Sequence, residues 1–126
     1  MLNTSQVWPT VPIVDVSRAK DFYQNTLGLK LIKENLEMGV LVFEAGKNSF
    51  IELYKRGVTK ADNTTMTFKV DNIDKHVNYL KTKDVKFEQF DMGDLKMTNN
   101  IMTIEKERAS WFKDTEGNIL CLHQDL

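Results

Sequence analysis

Short runs of alternating apolar and polar residues fill most of the chain, and two stretches replace the alternation with helical spacing. The helical sets are Ala19, Phe22, Tyr23 and Leu27 in the first stretch, and Ile73, Val77 and Leu80 in the second. The strand-like runs cover residues 7–14, 29–36, 40–44, 49–54, 65–70, 85–90, 101–112 (one long strand or two short ones) and 119–123. The pattern predicts strand, helix and then further strands, twice over.

Capping residues, a glycine and two prolines indicate where the first helix begins and ends and where the first strand lies in the sheet. Asp15 or Ser17 can cap the first helix, and Gly28 can end it. Pro9 and Pro12 each remove a backbone donor from the first strand. That strand is therefore expected at a sheet edge or a crossover.

The two halves resemble one another in element order and in a few local sequences. Ile13-Val14-Asp15-Val16 precedes the first helix much as Val70-Asp71-Asn72-Ile73 precedes the second. A polar stretch over residues 56–63 separates the halves. We interpret this as an internal duplication at a period of about 56 residues, with module 1 at about 7–56 and module 2 at about 64–126 of a single domain, residues 1–126.

Composition narrows the class of protein. The chain has 126 residues, of which 41% are hydrophobic and 28% charged, with 17 Lys+Arg against 18 Asp+Glu. This balance gives no electrostatic reason to expect nucleic acid or an anionic membrane as partner. One cysteine excludes an internal disulfide, and no signal peptide or spanning apolar run is visible. We expect a cytoplasmic protein.

Three motifs, in this order, resemble the vicinal oxygen chelate superfamily, which includes glyoxalase I, bleomycin resistance proteins, fosfomycin-modifying enzymes and extradiol dioxygenases. They are Asp15-x-x-x-Ala19-x-x-Phe22-Tyr23-x-x-x-Leu27-Gly28-Leu29, Phe50-Ile51-Glu52-Leu53 and Asp114-x-x-Gly117-Asn118-x-Leu120-x-Leu122. The resemblance implies an α+β fold, with two βαβββ modules forming curved mixed sheets around a U-shaped cavity. It also implies a homodimer.

The resemblance further implies one divalent metal held at four strand positions, of His/Gln, Glu, His and Glu type. The residues at those positions here are Trp8, Glu52, Thr65 and Cys121. Only Glu52 matches, because indole has no lone pair for coordination and a threonine hydroxyl is a poor ligand. A substitute set of Glu52, Cys121 and His123 lacks a fourth ligand. We therefore expect no metal and no cofactor.

Strand alternation places several candidate ligand-binding residues on the cavity face: Trp8, Thr10, Phe50, Glu52, Tyr54, Thr65, Thr67, Cys121 and His123. Trp111 stands where relatives direct a side chain toward the ligand. An aromatic box with one carboxylate favours a flat or cationic organic molecule. Glu52 is also the one candidate for acid–base catalysis, or it is a remnant, and the sequence leaves these roles open.

Three functions remain open at this point. The preferred one is a metal-free protein that binds a small molecule, an antibiotic or an aromatic metabolite, similar to the bleomycin resistance type. The bleomycin-binding proteins are markedly acidic, whereas this chain is nearly neutral, which argues against bleomycin itself as the ligand. The alternatives are a metal-dependent lyase, dioxygenase or thiol transferase, and a partner-binding module with a vestigial cavity. No catalytic residue is assigned unless it is Glu52.

Overall fold

The computed structural model describes residues 1–60, 62–90 and 97–126. These residues form two compact units, Met1–Thr59 and Lys60–Leu126. Each unit contains one open mixed sheet with a helix packed on one face. The predicted α+β class is confirmed. Among the described residues, no helix has the length and apolar character needed to cross a bilayer.

Unit 1 follows the predicted order of elements. After a 3-10 turn at Leu2–Thr4 come β1 (Thr10–Ile13), α1 (Val16–Asp21), β2 (Lys30–Asn35), β3 (Val40–Glu44) and β4 (Phe50–Lys55). The sheet order is β1-β4-β3-β2, with β1 parallel to β4 and the other pairs antiparallel. The strand that contains Pro12 is thus at an edge, as its missing donor predicts.

Helix α1 begins and ends as the sequence indicates, but its last turn widens. The Asp15 side chain accepts a hydrogen bond from the Arg18 amide at 3.0 Å, which satisfies a donor of the first turn. Residues Phe22–Thr26 form a π-helical turn, in which the Leu27 amide donates to the Phe22 carbonyl. Gly28 follows with a φ of 74°, a conformation that glycine adopts without strain.

Unit 2 repeats this topology with an added strand. Its elements are β5 (Thr64–Lys69), α2 (Ile73–Thr82), β6 (Met97–Thr98), β7 (Ile101–Ile104), β8 (Glu107–Lys113) and β9 (Ile119–Asp125). The order is β5-β9-β8-β7-β6, and β5 is parallel to β9. The stretch 101–112 therefore forms two strands, and Asn72 caps α2 through the Lys75 amide at 3.1 Å.

The strand predicted over residues 85–90 is wrong. Only Phe87 forms a bridge, to Phe112, and the Glu88 amide donates to the Trp111 carbonyl at 2.8 Å. Phe87 packs edge-on against Phe112 with ring centroids 5.5 Å apart, so the segment contributes side-chain packing to the sheet without forming a ladder. Of the loop predicted at 91–100, residues 91–96 lie outside the described residues, and Met97–Thr98 pair with β7.

Alternation along the strands divides each sheet into a face that packs on its helix and the opposite face, here called the far face. In unit 1, Ile51 and Leu53 are buried on the helix side, where Tyr23 contacts Phe43. In unit 2, Leu120 and Leu122 take the same place beneath α2. The candidate residues that alternate with these buried positions along the strands therefore lie on the far faces.

Candidate functional site

The far face of unit 1 brings together an aromatic pair. Trp8, just before β1, lies against Phe50 of β4 with ring centroids 4.8 Å apart and planes inclined by 32°. The Trp8 residue is 38% exposed. An indole that is fixed by a neighbouring ring and still exposed offers a ready stacking surface.

Glu52 lies next to this pair on the same face. The parallel ladder sets it opposite Thr10 of β1, and the antiparallel ladder sets it opposite Val42 of β3. The Glu52 residue is half-buried. Among residues 1–60, 62–90 and 97–126, no side chain forms an ion pair or hydrogen bond with its carboxylate. A negative charge with no internal partner favours a positively charged ligand group here.

Tyr54 continues the strip beyond Glu52. It lies opposite Pro12 of β1, and its hydroxyl accepts a long hydrogen bond from Arg56 Nη1 at 3.4 Å. All five candidates predicted in this half of the chain, Trp8, Thr10, Phe50, Glu52 and Tyr54, therefore occupy adjacent places on one face of β1 and β4.

The far face of unit 2 carries a second aromatic pair. The ladders place Cys121 of β9 between Thr67 of β5 and Trp111 of β8. The Trp111 ring meets the edge of Phe90 at a centroid distance of 5.4 Å and an interplanar angle of 81°. Trp111 is half-buried and Phe90 is exposed, so this pair is also accessible from one side.

Thr65 does not stand beside Cys121. The ladder pairs Thr64 with Ile119 and Met66 with Leu120, so a bulge takes Thr65 out of register. Thr67 is the threonine opposite Cys121. Spacing along the sequence could not show this, because a bulge changes pairing without changing residue count.

Cys121 is a buried thiol. Its Sγ donates to the Leu122 carbonyl at 3.3 Å. Burial raises the pKa of the Cys121 thiol, and a side-chain hydrogen bond with Thr67 offsets part of that rise. The sulfur is therefore protonated at neutral pH, whereas a cysteine nucleophile reacts as the thiolate. Cys121 therefore packs in the sheet as a small, buried side chain.

His123 belongs to a charged group that the sequence analysis missed. Lys69 Nζ lies 2.8 Å from His123 Nδ1 and 3.0 Å from Asp125 Oδ2, and Glu107 Oε1 lies 3.6 Å from His123 Nε2. The hydrogen bond from Lys69 lowers the pKa of the Asp125 carboxyl. The available signal was the alternation of Cys121, His123 and Asp125 on one face of β9, combined with the register of the neighbouring strands.

The donor set does not fit the single divalent metal that the resemblance implies. In unit 1, Trp8 offers an indole ring stacked on Phe50, leaving Glu52 as the one donor at the implied positions. In unit 2, Thr65 stands in a bulge of its strand, and a threonine hydroxyl is a poor ligand. Glu52 and Cys121 are then two donors at the four implied positions, fewer than the three or four ligands of a catalytic site.

The sequence was compared with models of protein families and with curated proteins. The model of the Glyoxalase/Bleomycin resistance protein/Dioxygenase superfamily matches residues 5–122. No curated protein matches.

Three solved structures illustrate the shared fold. TnmS3, an antibiotic binding protein from Streptomyces sp. CB03234, has a TM-score of 0.77 at 21% identity, covering 100% of this chain and 99% of its own. The fosfomycin resistance protein FosX from Listeria monocytogenes has a TM-score of 0.74 at 15% identity, covering 98% and 92%. Lactoylglutathione lyase from Agrobacterium tumefaciens has a TM-score of 0.70 at 14% identity, covering 96% and 93%.

Proposed function

Because the chain belongs to the glyoxalase/bleomycin resistance protein/dioxygenase superfamily, we propose that it is a metal-free binding protein for a small organic molecule. The ligand is an antibiotic or an aromatic metabolite, bound in the cytoplasm. The observation that carries this proposal is the contact of the Trp8 and Phe50 rings beside the Glu52 carboxylate, which has no ion pair or side-chain hydrogen bond among the described residues.

These groups favour a flat ligand with a positive charge. An exposed indole stacks on a planar ring and attracts a cation to its face. Glu52 is within the same strip and has no ion pair among the described residues, so a ligand ammonium or amidinium group gains a charge-assisted hydrogen bond. TnmS3 is an antibiotic binding protein with the same fold, which supports an antibiotic as the ligand.

A thermal-shift screen of antibiotics and aromatic metabolites, with a chelator present throughout, tests the proposal. A ligand at 100 times its Kd stabilises the protein by about 2.7 kcal/mol. We expect cationic planar compounds to raise the Tm. Glu52→Gln should weaken the cationic compounds and leave matched neutral analogues unaffected.

The control variant is Tyr79→Ala, which removes an exposed aromatic ring from α2, on the other side of the sheet of unit 2. It should bind as the unmodified chain does, whereas Trp8→Ala should not. The proposal fails if no compound shifts the Tm, which is the outcome expected of a partner-binding module with a vestigial cavity. It also fails if Trp8→Ala and Tyr79→Ala bind equally well.

A metal-dependent enzyme is the second candidate, favoured by the carboxylate that Glu52 retains at one implied metal position and by the likeness to a lactoylglutathione lyase. Metal analysis of protein purified without chelator separates the two functions. Stoichiometric Zn, Ni, Mn or Fe that is lost in Glu52→Ala would overturn the metal-free proposal and favour the enzyme.

We also propose a homodimer, because the family resemblance implies one. Light scattering on the eluting protein should give twice the chain mass of 14.6 kDa. A monomer mass at micromolar concentration would contradict this part of the proposal.

A further inference from the structure

We propose that Glu107, His123 and Asp125 form a site for a divalent transition-metal ion at one end of the sheet of unit 2. Each residue offers one ligand atom, and these atoms all lie within 4.8 Å of one another. None of the three occupies a metal position implied by the family resemblance. The ion would be held in unit 2, whereas the metal-free ligand binding proposed above uses Trp8, Phe50 and Glu52 of unit 1, so the two proposals are independent.

The sheet itself positions the three side chains. His123 and Asp125 lie two apart on β9 and so share the far face, and Glu107 of β8 is directly opposite Asp125. Ala109 is opposite His123, so β8 presents only a methyl group beside the imidazole. Ligands held by paired strands are better fixed than ligands on loops.

The distances are close to those that a bound ion requires. Glu107 Oε1 lies 3.6 Å from His123 Nε2, and Asp125 Oδ1 lies 3.7 Å from His123 Nδ1. Ligand atoms around a tetrahedral zinc ion stand about 3.3–3.5 Å apart. One ring nitrogen coordinates, and the carboxylate on the other side of the ring must swing toward it. The Asp125 and Glu107 side chains are 63% and 66% exposed, so both can move.

A cation already occupies part of this site. The Lys69 ammonium is held by His123 Nδ1 at 2.8 Å and by Asp125 Oδ2 at 3.0 Å. A metal at Nδ1 takes the lone pair that accepts from Lys69. A metal at Nε2 forces the ring proton onto Nδ1, which then no longer accepts. Lys69 therefore competes with the metal in either case.

The competition is weak. The Lys69 side chain is 62% exposed, and exposed ion pairs contribute little. Releasing the ammonium to water therefore reduces metal affinity by at most about five-fold. One imidazole with two carboxylates suits Zn²⁺ and neighbouring first-row ions, and three protein ligands leave a position for water.

Metal titration of the full chain tests the site, using Zn²⁺ by calorimetry and Co²⁺ by its visible absorption. We expect one ion per chain at this site. Lys69→Met should bind two- to five-fold more tightly, and His123→Ala at least ten-fold more weakly. His76→Ala removes the other histidine, on α2, and should bind as the unmodified chain does, as should Glu52→Gln.

The exposed ligands provide variants that keep the fold if His123→Ala fails to do so. The double variant Glu107→Gln, Asp125→Asn should also lose at least ten-fold in affinity while its Tm stays within a few degrees. The proposal is overturned if Lys69→Met binds no more tightly than the unmodified chain. It is equally overturned if His76→Ala loses as much affinity as His123→Ala.

Discussion

The two units share a topology but not a chemistry. In each, the first strand pairs in parallel with the last, and a helix capped by Asp15 or Asn72 follows the first strand. Their far faces differ. Glu52 has no ion pair among the described residues, whereas His123 is surrounded by Lys69, Glu107 and Asp125.

The difference between the far faces follows from how closely each face of the sheet is packed. The helix-covered face is close-packed, so its residues must keep their apolar character and volume in both units. The far face has no such constraint within its own unit. Unit 1 presents an aromatic surface and a carboxylate with no ion pair among the described residues, whereas unit 2 presents a group of mutually paired charges.

The largest expected effect concerns how each unit closes its last hairpin. In unit 2, the buried Asp114 carboxylate accepts from the amides of Glu116 and Asn118 at 2.8 Å each and from Asn118 Nδ2 at 2.9 Å. Asp114→Ala removes the acceptor of these three buried hydrogen bonds and should lower the free energy of unfolding by about 3 kcal/mol. Denaturant unfolding measures the change.

The hairpin of unit 1 supplies the control for that variant. Its turn is closed by the Ala45 amide and Ser49 carbonyl, and Lys47 is exposed. Lys47→Ala should change stability by less than about 0.5 kcal/mol. Equal losses in the two variants would show that the two turns are held in the same way.

The next effect contrasts the aromatic pairs, using a ligand from the screen described above. Trp8→Ala should weaken binding by about 2 kcal/mol, since truncating a central aromatic contact typically costs this much. Trp111→Ala should cost less than about 1 kcal/mol, because the Glu52 carboxylate, which has no ion pair among the described residues, lies near Trp8 rather than Trp111. Calorimetry of ligand binding to both variants measures the two losses. A larger loss in Trp111→Ala than in Trp8→Ala would assign the ligand to unit 2.

A third effect tests the cores. Ser110 Oγ is buried beneath α2 and has no hydrogen-bond partner among the described residues. Ser110→Ala removes an unsatisfied hydroxyl and should stabilise the protein by about 1 kcal/mol. In unit 1, Ala19 on the buried side of α1 has no such group, and Ala19→Ser should destabilise the protein. A lower Tm for Ser110→Ala would show that the hydroxyl has a partner.

The smallest effect concerns the ion pairs between helix and sheet. Arg108 contacts Asp74 of α2 through both nitrogens, at 2.6 and 3.1 Å, and its hydrogen bond lowers the pKa of Asp74. A carboxyl with a lowered folded pKa stabilises the protein above its unfolded value of 3.8, and this stabilisation is lost as pH falls through the folded pKa. Asp74→Asn should cost about 0.5 kcal/mol at pH 7.

Thermal unfolding of the unmodified chain and of Asp74→Asn between pH 7 and pH 2 measures how the stability contributed by this ion pair depends on pH. The two curves should converge at the acid end. The corresponding pair in unit 1, Lys20 with Glu34 at 2.8 Å, has a single contact, so Glu34→Gln should cost less. A constant difference between the Asp74→Asn and unmodified curves at all pH values would exclude the ion pair as its cause.

Residue pattern alone predicted much of this molecule. Helical spacing located both helices, Asp15 marked the start of α1, and Pro12 placed its strand at an edge. Alternation identified the helix-covered faces, because a strand has a period of two whatever its partner is. The strand predicted over residues 85–90 was wrong. Phe87 is a β-prone residue, but its ring packs on Phe112 and the segment around it forms no strand ladder.

What the sequence determined by itself was the face on which each side chain lies. Which side chains meet across a sheet was decided by the tertiary structure. Because of the bulge after Thr64, it is Thr67 and not Thr65 that lies opposite Cys121. The register of β8 places Glu107 next to His123 and Asp125. The reason is physical: a local pattern fixes direction within one strand, but register depends on hydrogen bonds between strands that are distant in sequence.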